Sequence, residues 1–173
     1  MKISARNVLA LIAAMALAGA AHAKDMSSCA AFKWPLDKER AAFDAAGLEQ
    51  VASGAARGAW KEQAFAWKLA PVADVAFTVP PRGRSKTGGA RYGGTLIFDA
   101  PGHAGLYQVT LSGEGWIDVV QSGASLKSAG HSGAKNCPGL RKSVRFNLGA
   151  APVVLQMSGV PAETIKVAIS PVP

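Results

Sequence analysis

The sequence predicts a mainly β protein, an antiparallel β-sandwich or jelly roll of 7–8 strands behind a short N-terminal helical arm. Three observations predict it. From about residue 63 the apolar positions recur with period two, the spacing of a strand with one face buried. The gaps between these stretches carry turn residues: Pro101-Gly102, Gly113-Glu114-Gly115, Gly149-Ala150-Ala151-Pro152 and Gly159-Val160-Pro161. Those gaps are too short for the helices that an all-parallel sheet would need. Length agrees: 173 residues, 49% apolar, make one domain with a core of its own. The composition excludes a disordered, collagen-like or cysteine-dense chain.

Residues 1–23 read as a signal peptide. Lys2 and Arg6 form a positive start, Val8 to Ala18 is an apolar run of 11 residues, and Ala21-His22-Ala23 offers a cleavage site. Eleven helical residues at about 1.5 Å each fall short of a bilayer core of roughly 30 Å. No other apolar run is long enough to span, so no transmembrane segment is expected after cleavage. The expected location is the periplasm or the medium. Removing Lys2 and Arg6 leaves 17 basic against 11 acidic residues, a net +6. Export puts Cys29 and Cys137 where disulfides persist, and two cysteines allow one intramolecular pairing. Met26-Ser27-Ser28-Cys29 also loosely resembles a lipobox, which would acylate Cys29 instead.

Residues 24–62 read as the arm. Trp34-Pro35 sets an extended entry. Asp37 caps a helix over Lys38 to Ala46, and Gly47 follows it. Leu48 to Ala59, rich in Ala and Gly, reads as a further weak turn of helix. Residues 63–173 read as the sandwich. Its first strand alternates Phe65, Trp67 and Leu69 with small or polar neighbours. Val75 to Val79 is a short strand stopped by Pro80-Pro81. Thr95–Asp99, Leu106–Ser112 and Trp116–Gln121 follow. Residues 122–140, rich in Gly and Ser, read as a long loop. Three strands, centred on Phe146, Leu155 and Val167, complete the body.

No nucleophile elbow or cofactor fingerprint is present, and no cofactor is expected from the residues. Asp118 shares a face with Trp116 and Val120 and is expected to be partly buried, paired with Arg141, Lys142 or a loop amide. Val119 to Ala162 contains Lys127, Lys135, Arg141, Lys142 and Arg145 and no acidic residue. Arg82, Arg84, Lys86 and Arg91 form a second basic stretch. If the two meet they make an anion-attracting surface. The basic stretches lack interleaved aromatics, so nucleic acid is not the expected partner. The expected binding residues are Trp116, Asp118, His131, Arg141 and Lys142, beside Cys137. The partner would be a small molecule or an envelope component, and the protein a non-enzymatic binding or envelope-accessory module. A basic module for acidic glycans or lipid headgroups is a further reading. The candidate metal ligands are His103, His131, Asp99, Glu114 and Asp118; two His and one carboxylate would suit non-haem iron.

From about Arg91 onward the chain resembles a family of short exported bacterial β-sandwich proteins. Gly93-Gly94, Ala104 to Val109, Trp116-Ile117-Asp118-Val119-Val120, His131, Cys137, Arg141 to Phe146 and Leu155-Gln156 carry the resemblance. It is also similar, more weakly, to pre-peptidase C-terminal type domains. Members of the short family are often named homogentisate 1,2-dioxygenase. The resemblance implies a sandwich fold, export and, by that name, an iron dioxygenase as the alternative function.

Overall fold

A computed structural model gives the structure over residues 27–83 and 91–173. The expected signal peptide, and Arg84 and Lys86 of the second basic stretch, lie outside the described residues. A 3-10 turn at Ser27–Ala31 leads into helix α1 (Asp37–Asp44). Twelve strands follow: β1 (Gln50–Ala52), β2 (Ala56–Ala59), β3 (Gln63–Lys68), β4 (Ala70–Pro71), β5 (Tyr92–Asp99), β6 (Gly105–Leu111), β7 (Trp116–Gln121), β8 (Ala124–Ser125), β9 (Gly130–Gly133), β10 (Lys142–Leu148), β11 (Val153–Val160) and β12 (Thr164–Pro171). They form two sheets. The first has the order β1-β3-β12-β6-β10-β9; the second has β2-β5-β11-β7-β8, with β4 also on β5.

The expected alternation builds the sandwich. Inward residues of the first sheet include Trp67, Val109, Phe146 and Val167. They meet Leu96, Phe98, Val119, Leu155 and Met157 of the second, and together they form one dry cluster. Burying each such side chain is worth about 1.5–3 kcal/mol.

Several expectations are corrected. Leu48 to Ala59 is not helical: β1 and β2 lie in it, one in each sheet. Val51 is the large apolar residue of β1 and is 3% exposed, so one anchor outweighs a run of Ala and Gly. The sandwich is not purely antiparallel. β1 runs parallel to β3, and β2 parallel to β5. The connection from β1 to β3 passes through β2 in the opposite sheet, which supplies the crossover that a parallel pair needs. Asp37 is the first residue of α1; Leu36 holds the cap position, with no side-chain hydrogen bond. The 122–140 segment is not wholly loop, since β8 and β9 lie in it.

Val75 to Val79 is not a strand. The segment crosses the outer face of the second sheet as a strap. The Gln156 side chain, 1% exposed, takes the role of a pairing strand. Its Oε1 accepts from the Thr78 and Val79 amides at 2.7 and 3.1 Å, and its Nε2 donates to the Val79 carbonyl at 3.0 Å.

The arm covers the outer face of the first sheet, whose residues are polar yet buried. Gln108, Thr110, Ser143 and Ser170 are all under 8% exposed. Glu39 of α1 accepts from Gln108 at 2.6 Å and from the Ser170 hydroxyl. Ser143 Oγ accepts from Trp34 Nε1 at 3.2 Å and from the Thr110 hydroxyl at 3.0 Å. A smaller apolar cluster of Leu36, Phe43, Leu140 and Ala168 completes this layer. The Cys29–Cys137 disulfide, with a Cα–Cα distance of 4.7 Å, closes it across 108 residues.

Gln156→Leu would strand two strap amides and one carbonyl. The expected cost is about 1–3 kcal/mol, read as a lower midpoint in denaturant unfolding, with proteolysis at residues 75–83 accelerated first.

Candidate functional site

The two sheets part at one margin. There the β7–β8 edge of the second sheet faces the β9–β10 edge of the first. Residues 126–129 cross from β8 to β9, so this margin belongs to both sheets. The crossover is pinned at each end: Leu126 N donates to Val119 O, and Ala129 N to Arg145 O, each at 2.8 Å. Between the edges lies a groove of about 290 Å³.

Its lining follows from strand parity. Val144 and Phe146 of β10 and Ile117 of β7 point inward and form an apolar floor. Lys142 stands opposite Leu111 and shares the inward face of β10, one step beyond the core. His131 pairs with Val144, so it shares that face from the edge strand β9. Lys127 and Ser128 enter from the crossover, Arg82 from the strap, and Trp116 from the start of β7. The groove is thus lined by Arg82, Lys127, Lys142 and His131, with no acidic residue among its lining.

Asp118 places Arg82. The carboxylate is 1% exposed, while the Arg82 side chain is 45% exposed. Asp118 Oδ2 accepts from the Arg82 amide at 3.1 Å, and Oδ1 accepts from Arg82 Nε at 2.9 Å. Arg82 Nη2 also donates to the Leu126 carbonyl. One guanidinium therefore joins strap, β7 and crossover. The next residue must be glycine, because a Cβ at Gly83 would lie 2.1 Å from Trp116 Cγ. The strap crosses directly against the indole, and that contact fixes Trp116 at the rim, 42% exposed.

Lys142 Nζ donates to the Gly115 carbonyl at 2.8 Å and lies 5.4 Å from the Trp116 ring centroid. Burial, then the charge of Arg141, holds its ammonium below the usual lysine range, while Glu114 opposes this more weakly. An anion in the groove would offset both effects.

Of the five expected binding residues, Trp116, His131 and Lys142 line the groove. Asp118 does not; it lies behind Arg82 as an anchor. Its partner is Arg82, through both a loop amide and a guanidinium, and not Arg141 or Lys142. Arg141 turns away to Glu114, at 3.1 Å. Arg82 and Lys127 were absent from that set, although each belongs to one of the two basic stretches. The meeting of those stretches at one margin is the signal that points to them.

The five candidate iron ligands are not brought together among the described residues. Among the described residues, no three of His, Cys, Asp and Glu come together to hold a metal ion. Gly105 faces Leu148 on β10, and His131 faces Val144. Roughly 13 Å of strand, at about 3.3 Å per residue, separates the His131 register from that of Gly105, and His103 lies in the turn before Gly105. Both Asp118 oxygens are engaged by Arg82, and Glu114 pairs with Arg141. Asp99 lies toward the other side of the second sheet, on β5 and paired with Ala59 of the edge strand β2.

No helix among the described residues is long and apolar enough to cross a membrane. No protein-family model matches the chain, and neither a curated protein nor a solved structure matches it.

Asp118→Asn would weaken the strap and let Arg82 swing from the groove. The expected loss is about 1–3 kcal/mol, below the value for a fully buried pair because Arg82 is partly solvated. Arg82→Met should cost a comparable amount. A double-mutant cycle should show the two changes far from additive; additive losses would mean that the pair does not act as a unit.

Proposed function

We propose that the protein is an exported, periplasmic binding module that holds a small organic anion in the groove between the two sheet edges. One observation carries the reading: Arg82, Lys127, His131 and Lys142 stand over an apolar floor that no carboxylate shares. Arg82, Lys127 and the half-buried Lys142 attract an acidic group. Ile117, Val144, Phe146 and Trp116 suit an apolar or aromatic body. The ligand class is therefore a monocarboxylate or similar acid with a hydrocarbon part. The size of the groove is at the small end of ligand pockets, which run from about 300 Å³. The charged N-terminal start with its apolar run, together with the disulfide, supports export.

Binding is measured with phenylacetate and its neutral amide, followed by Trp116 fluorescence and calorimetry. Phenylacetate should bind at least about tenfold tighter than the amide, and added salt should weaken it. Trp116→Phe should remove the optical signal but not the heat. Equal affinity for acid and amide, or no binding of either, would overturn the reading.

The lowered Lys142 pKa sets the alkaline limb. The ammonium form favours an anion and the neutral amine does not. Affinity is therefore highest on the acid side of the Lys142 transition. It should fall as pH rises toward the ordinary lysine value of 10.5, beginning below that value. Lys142→Met should bind more weakly and lose this fall; titrating affinity against pH in both proteins checks it.

A further inference from the structure

The two ends of the Cys29–Cys137 disulfide are unlike. Cys29 is half-buried and lines an open groove of about 400 Å³, together with Phe32, Lys33 and Arg40. Cys137 is 6% exposed and packs with Leu36, Phe43 and Leu140 beneath the arm. Arg40 Nη2 donates to Cys137 Sγ at 3.6 Å. A cation beside a sulfur favours its thiolate form, and a thiol of lower pKa departs faster from a disulfide. Burial among apolar side chains works the other way at Cys137. The guanidinium, at 3.6 Å, opposes it. Access is less balanced: exchange requires the attacking sulfur to approach in line with the S–S bond. Cys29 lines the open groove, whereas at Cys137 an attacking sulfur would have to displace the Leu36, Phe43 and Leu140 packing.

We propose that this disulfide is a directional thiol-exchange site, with Cys29 as the sulfur attacked and Cys137 as the leaving group beside Arg40. An incoming thiolate forms a bond to Cys29 Sγ. The Cys29–Cys137 bond breaks, and its electron pair leaves on Cys137 Sγ as a thiolate. The product is a mixed disulfide on Cys29. A second thiolate then attacks the outer sulfur of that mixed disulfide and releases Cys29 as thiolate. Two thiols have then become one disulfide, and the protein has gained the two electrons. The groove is lined by Lys33 and Arg40 against one carboxylate, Asp37, a net basic lining that suits a thiol carrying carboxylates.

The test treats the oxidised full chain with glutathione, quenches with acid, alkylates free thiols with a maleimide and maps both cysteines by peptide mass spectrometry. Glutathione on Cys29 with maleimide on Cys137 should exceed the reverse pattern by about tenfold or more. In denaturing urea the preference should vanish. Equal labelling of the folded protein, glutathione chiefly on Cys137, no mixed disulfide, or a preference that survives urea would each overturn the proposal. Arg40→Gln should slow the first step by about three- to tenfold, and Arg40→Lys should restore most of the rate. Unchanged rates in both variants would remove the role assigned to Arg40.

Discussion

Burial of the facing side chains of the two sheets is the interaction on which the rest of this molecule depends. Trp67, Val109, Phe146 and Val167 on one side, and Leu96, Val119, Leu155 and Met157 on the other, occupy the inward positions of the central strands. Those positions are committed to excluding water. Functional side chains are left to the places where the layers part. At the β7–β8 and β9–β10 margin the inward parity continues for one more step, but the opposing sheet has ended. Lys142 and His131 occupy that step. They have the orientation of core residues and the solvent access of a rim.

The same logic explains what the sequence made legible. Seven of the eight strands read from alternation are present, because large inward residues at period two leave one register open to each. Val75 to Val79 has the right residues but no neighbouring strand to pair with, and Gln156 satisfies it by side chain. β1 and β2 were hidden by small residues, since Ala and Gly carry almost no periodic signal. On the outer face of the first sheet, Gln108, Thr110 and Ser143 look like solvent positions in sequence. Their burial depends on where the arm docks, which alternation does not encode.

The site was partly readable for a related reason. Trp116, His131 and Lys142 could be singled out one by one. Arg82 lies 36 residues from the Asp118 that holds it, and only the path of the strap brings the two together. Arg141 and Lys142 are adjacent, so they project to opposite sides. One meets the groove and the other meets Glu114. Choosing between them required knowing which side of β10 was inward at its first residue.

The strands at the sheet margins share a property. β1, β2, β8 and β9 have three, four, two and four residues, while the central strands β11 and β12 have eight each. A sheet border offers unsatisfied backbone groups to any passing polypeptide in extended form, and the hazard grows with the length of the border. Here the outermost strand at each flank is a stub of two to four residues. Short outer strands of this kind guard against runaway stacking of a protein's own copies.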